Sequence, residues 1–138
     1  MKVGHRILIV DDNATNLKLV AYLMRANGYT VDTALDAEAA LDAIRSARPE
    51  VILMDIQLPG IDGLELTRRL KAEPATADIV VIAVTAYAMK GDQDKALAAG
   101  CDDYVTKPID TRALPDIIAR HLKRTGGAAR GEPPQERS

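Results

Sequence analysis

Residues 50–60 read EVILMDIQLPG. Val51, Ile52, Leu53 and Met54 follow one another without a polar break, then run into Asp55 and a turn carrying Pro59 and Gly60. A short apolar run that does not alternate is the signature of a strand covered on both faces, as in a parallel sheet. A carboxylate at the end of such a strand is costly to desolvate, so it needs a compensating partner. Asp55 therefore poses the chemical question as well as the structural one.

The same pattern recurs on either side. Apolar runs occur at 7–10 (ILIV), 30–34 (TVDTA), 51–54 (VILM), 79–84 (IVVIAV) and 104–106 (YVT). Between them the apolar residues follow a helical period. Leu17, Val20, Ala21 and Met24 share one face, as do Ala37, Ala40, Leu41 and Ile44, and then Leu114, Ile117, Ile118 and Leu122. Gly28 and Gly100 stand where glycines terminate helices, and Pro49 and Pro74 mark further stops. The reading is a (βα)5 chain of the α/β class. Right-handed crossovers then predict a doubly wound, flavodoxin-like parallel sheet of order 2-1-3-4-5. The domain is expected to occupy residues 1–124. TGGAARGEPPQERS, from Thr125 to Ser138, lacks an apolar face and reads as a disordered tail. The segment MKGDQDKALAAG is apolar mainly through alanine, so its helix should be among the easier ones to move.

Bulk properties narrow the function classes. A chain of 138 residues makes one domain that can bury roughly 70% of its unfolded surface. One cysteine, Cys101, allows no internal disulfide and reads as a small buried hydrophobe in a reducing, cytoplasmic setting. No run approaches the roughly 18 apolar residues of a membrane span, and MKVGHRILIVDD has no signal-peptide layout. With 18 basic and 20 acidic residues the net charge is −2, and there is no Phe or Trp. Nothing here favours nucleic acid. His5 and His121 read as isolated surface residues rather than metal ligands.

In an open parallel sheet, function collects at the carboxyl ends of the strands. The first strand ends in Asp11 and Asp12, the third in Asp55, the fourth in Thr85, and the fifth in Lys107 and Pro108. Each alone has an ordinary explanation as a cap, a turn or packing. Together they bring carboxylates, a hydroxyl and an ammonium to one edge. Clustered carboxylates repel one another until a cation joins them. An all-oxygen ligand set suits Mg²⁺, which keeps several waters and takes one or two carboxylates. The ion and Lys107 would neutralise an incoming phosphoryl group, Thr85 would donate to one of its oxygens, and Asp55 would be the nucleophile of an aspartyl-phosphate.

ILIVDDNATN, VILMDIQLPGIDGLEL, VVIAVTAYAMKGD and AGCDDYVTKPID together resemble the receiver domain of two-component response regulators, over about residues 5–124. The wording around Asp55, Thr85 and Lys107 is most similar to single-domain regulators of cell division. The resemblance implies that Asp55 accepts phosphate from a phosphohistidine on a histidine kinase or histidine phosphotransfer protein. It implies Mg²⁺ (or Mn²⁺) held by Asp12 and Asp55, by Asp11 through water, and by the Gln57 backbone carbonyl. It further implies phosphoryl contacts from Thr85 and Lys107, a switch role for Tyr104, and a cis peptide between Lys107 and Pro108. Gln57 and Tyr87 fall where the family tunes phosphoryl lifetime.

Three rivals compete with this reading. A phosphatase of the haloacid-dehalogenase type needs a second acid two residues after its nucleophile, and Gln57 stands there. A nucleotide or flavin module needs a phosphate-cradling glycine loop, which is lacking. A degenerate receiver that only docks would have no reason to keep all five site residues. The expected protein is thus a phosphorylation-controlled switch, not an enzyme for external substrates, with a downstream protein target and a monomeric or weakly dimeric state. Leu19 and Leu23 lie off the main apolar face of the first helix, where they either meet a partner helix or are buried against a neighbour.

Overall fold

The computed structural model describes residues 5–56, 63–85, 90–106, 109–110 and 112–129. Strands β1 (Arg6–Val10), β2 (Thr30–Ala34), β3 (Val51–Asp55), β4 (Val80–Thr85) and β5 (Asp103–Thr106) alternate with helices α1 (Ala14–Ala26), α2 (Ala37–Ser46), α3 (Gly63–Ala72), α4 (Lys90–Ala99) and α5 (Leu114–Ala129). The strands are parallel and ordered β2-β1-β3-β4-β5. This is the flavodoxin-like sheet expected from the pattern.

Every residue of β3 and β4 is buried, which explains their unbroken apolar runs. Alternate residues go to opposite faces. Ile7, Ile9, Leu53, Ile82 and Val84 pack with Leu17, Val20 and Met24 of α1 and with Leu114, Ile118 and Leu122 of α5. Leu8, Val10, Ile52, Met54, Val81 and Ala83 pack with Ala40 and Ile44 of α2, Leu66 and Leu70 of α3, and Ala96 of α4. The sheet separates two cores.

Local signals set the helix ends. Asn13 caps α1 by accepting from the Asn16 N–H at 3.0 Å, and Asp36 caps α2 by accepting from the Ala39 N–H at 2.8 Å. Gly28 and Gly100 follow α1 and α4 with φ of 94° and 108°, the left-handed conformation that glycine adopts without strain. Lys71, at the end of α3, ties the neighbouring segments together. Its Nζ donates to the carbonyls of Ala77 (3.2 Å) and Ile79 (2.7 Å) and to Asp102 Oδ2 (3.0 Å). The same Asp102 oxygen accepts from the Val81 N–H at 2.8 Å, locking the start of β4 to the turn before β5.

Several readings change. α5 continues to Ala129, past the boundary placed at residue 124. Once a helix is nucleated, each further residue adds one hydrogen bond, so Gly126 and Gly127 do not stop it before Ala128 and Ala129. Residues 130–138 lie outside the described set. The histidines are not isolated surface groups. His121 is only 7% exposed and lies 3.0 Å from Asp103 on β5, and His5 is half-buried and pairs with Glu50. His121 sits on the same α5 face as Leu114 and Ile118, so the stripe that buries them carries it inward, and Asp103 offsets the cost. On α1, Leu19 is exposed while Leu23 packs against the core. Cys101 is buried as expected, its thiol 3.9 Å from Thr67 Oγ1.

Candidate functional site

The topological switch lies at β1, where one crossover leads out to β2 and the next leads back to β3. Here the sheet opens a crevice at its carboxyl edge. Val10 is level with Met54, so the next residues, Asp11 and Asp55, stand side by side. Asp55 is in turn level with Val84, which sets Thr85 one step beyond it on the neighbouring strand. Carboxylate oxygens of Asp11, Asp12 and Asp55 all lie within 4.8 Å of one another. Asp11 and Asp55 are 3% and 1% exposed, whereas Asp12 is open to solvent. The sheet register alone brings these residues together.

Two unit charges about 4 Å apart repel by about 1 kcal/mol in water and about 4 kcal/mol near a protein surface. Local donors offset part of this. Asp11 Oδ1 accepts from the Asn13 N–H at 2.9 Å, and Asp11 Oδ2 accepts from the Asn16 side-chain amide at 2.6 Å. The ligand set also fits a hard divalent ion. Octahedral Mg²⁺ with oxygens at about 2.1 Å puts adjacent ligands about 3 Å apart and opposite ones about 4.2 Å apart. Three carboxylates with oxygens within 4.8 Å of one another supply the all-oxygen donors such an ion takes, directly or through water. Among the described residues the cluster holds carboxylates alone, a donor set that suits magnesium rather than zinc.

Thr85 is buried at the end of β4. Tyr104 is half-buried and packs against the core formed with α2, α3 and α4. It pairs with Ala83, two residues before Thr85 and therefore on the same face of β4. Gln57, Tyr87, Lys107 and Pro108, with the cis peptide expected between the last two, lie outside the described residues.

Sequence reasoning passed over two further residues. Asn16 occupies the third helical position of α1, where Glu or Gln is usual in a capping box. Its side chain turns to Asp11 instead. Gly63 begins α3 directly against the backbone of Asp55, and its N–H donates to the Ile56 carbonyl at 3.2 Å. The departure from the capping rule was the available signal for Asn16. Gly63 had none beyond the turn-rich composition around it.

The model of the response regulator receiver domain matches residues 7–119. The chain belongs to the response-regulator receiver family. It is 44% identical over 116 residues to the polar-differentiation response regulator DivK of Brucella anthropi, covering 84% of this chain and 94% of that one. Among solved structures, it is similar to a CheY-like receiver domain protein from Methanospirillum hungatei (TM-score 0.83, 31% identity, 90% of this chain and 98% of the other). It is also similar to the signal receiver domain of a histidine kinase from Syntrophus aciditrophicus (TM-score 0.80, 30% identity, 86% and 90% covered). This receiver is a two-component signalling domain of the DivK type. Receivers are switches rather than conventional enzymes, bind Mg²⁺ at an aspartate cluster, and interact with histidine kinases and downstream targets. Among the described residues no helix is long and apolar enough to cross a membrane.

Proposed function

We propose that Asp55 of this receiver is the phosphoryl acceptor. It takes the group from a phosphohistidine on a histidine kinase or phosphotransfer protein, in a reaction that requires Mg²⁺ (or Mn²⁺). The observation that carries this reading is the approach of the Asp11, Asp12 and Asp55 carboxylates to within 4.8 Å at the carboxyl edge of the sheet. Asp12 and Asp55 would hold the cation through their side chains, Asp11 would help through water, and Gln57 would add its backbone carbonyl. When bound, the cation supplies positive charge against the carboxylates and the phosphoryl oxygens.

An Asp55 carboxylate oxygen attacks phosphorus while the bond from phosphorus to the histidine nitrogen breaks. The electron pair stays on the imidazole, which then takes up a proton. Lys107 and Thr85 receive the phosphoryl oxygens. The Gln57 amide is neither an acid nor a base near neutral pH, so the aspartyl-phosphate hydrolyses slowly. Thr85 moves toward the new group, freeing room for Tyr104 to turn inward, and the surface of α4, β5 and α5 is remodelled for a downstream protein. Reversing a 1:99 population requires about 5.5 kcal/mol, within reach of a few charge-assisted hydrogen bonds at about 1.5–3 kcal/mol each.

Intact-mass measurement after incubation with acetyl phosphate and Mg²⁺ tests the proposal. Wild type is expected to gain one phosphoryl group, and neither Asp55→Asn nor wild type in excess chelator should gain it. Equal labelling of Asp55→Asn would remove Asp55 from the role.

A further inference from the structure

The Asp11 carboxylate is held from two directions by the start of α1. The Asn13 N–H reaches Oδ1 at 2.9 Å and the Asn16 amide reaches Oδ2 at 2.6 Å. Asn16 is itself fixed, because its own N–H donates to the capping oxygen of Asn13 at 3.0 Å. Asp11, Asn13 and Asn16 thus close a ring of three hydrogen bonds linking the acidic cluster to the first turn of a helix. An amide nitrogen must face the carboxylate, since an ionised carboxylate only accepts.

Helix energetics do not explain Asn at position 16. Asparagine is a poorer helix former than Glu or Gln, and a capping box would favour either of those at this position. The backbone N–H that such a side chain would reach, that of Asn13, already donates to Asp11. A glutamate here would instead bring another negative charge beside Asp11, Asp12 and Asp55. Asparagine supplies a neutral donor, held 2.6 Å from Asp11 Oδ2. A carboxylate oxygen accepts in two directions, so this bond is compatible with Asp11 also serving a cation or its water.

We propose that Asn16 is a positioning residue of the cation site, orienting Asp11 toward Asp12 and Asp55 and thereby setting the affinity for the divalent ion. The proposal rests on the reading that the three carboxylates hold that ion. Partners that orient metal ligands typically contribute 10–100-fold in metal affinity. Asn16→Ala is expected to weaken Mg²⁺ binding by about tenfold, and Asn16→Gln, which keeps the amide donor, should recover most of the loss.

The experiment is calorimetric titration of Mg²⁺, repeated with Mn²⁺, into wild type, Asn16→Ala, Asn16→Gln and Asp12→Asn. Thermal melts in chelator identify any variant that has simply lost α1. Wild-type affinity in Asn16→Ala overturns the proposal, as does equal weakening in the alanine and glutamine variants, since the amide would then be irrelevant. Failure of the underlying reading looks different: wild type itself would bind no Mg²⁺, or Asp12→Asn would bind it unchanged. Phosphorylation by acetyl phosphate supplies the second readout. Asn16→Ala should need about tenfold more Mg²⁺ for half-maximal labelling yet reach the wild-type rate at saturating Mg²⁺, a split that a damaged fold would not give.

Discussion

A Cβ added to Gly63 would lie 2.3 Å from the Asp55 carbonyl oxygen and 2.7 Å from Ile56 Cα. Both are backbone atoms and cannot rotate aside, so a side chain here must push the start of α3 away from the end of β3. Overpacking of this kind costs about 1–3 kcal/mol. The chemical cost is expected to be larger, because a displacement of about 1 Å at a reacting group can slow it about a hundredfold. Gly63→Ala should therefore keep the fold, as judged by urea denaturation, and lose most of its rate of labelling by acetyl phosphate. Gly91 is the contrast, with nothing within 4 Å of an added Cβ. The convergence of Asp11, Asp12 and Asp55 was legible because each follows or ends a strand that the apolar pattern identifies. Asn16 and Gly63 were not, because their importance lies in contacts across the chain, at a carboxylate and at a carbonyl. His121 was misread for the opposite reason: its histidine chemistry drew attention away from its position on the α5 stripe.

Among the described side chains of α4, the buried ones are the small Ala96 and Ala99, and Leu97 is exposed. Burial at about 25 cal/mol per Å² gives an alanine far less than a leucine or isoleucine, so α4 contributes little area compared with α1 or α3. Hydrogen exchange followed by mass spectrometry should find α4 amides opening well before those of β3, β4 and α3, and Gly91→Ala should slow that opening, since Ala favours a helix interior by about 1 kcal/mol over Gly. Comparable protection in α4 and α3 would argue against an easily moved α4. The alanine-rich composition of MKGDQDKALAAG carries the same expectation. The far end of α5 was less legible, because Gly126 and Gly127 read locally as a stop while the helix before them was already formed.

For the molecule as a whole, two buried acids contribute to how stability changes at alkaline pH. Burial pushes the Cys101 thiol up, with smaller opposing effects from the Thr67 hydrogen bond and from Lys71, and burial also pushes the Tyr29 phenol up. Both groups stay protonated in the native state after the unfolded chain has begun to lose its protons. The unfolded state then binds fewer protons, and stability falls as pH rises. The contribution is fully present below about pH 8.5 and is lost as pH climbs through the thiol and then the phenol range. Denaturation midpoints should decline over that range, and the stability gap between wild type and Cys101→Ala should narrow as pH rises. A gap that stays constant would exclude the thiol as a source. The parallel sheet has a further consequence, through the two cores it keeps apart. One joins α1 and α5, the other α2, α3 and α4, and the sheet lies between them. Substitutions on opposite faces should combine additively in stability. Each face is thus a separate wing of the same building, able to be refurnished for new neighbours while the shared wall, and the acidic edge at its top, stays as it was.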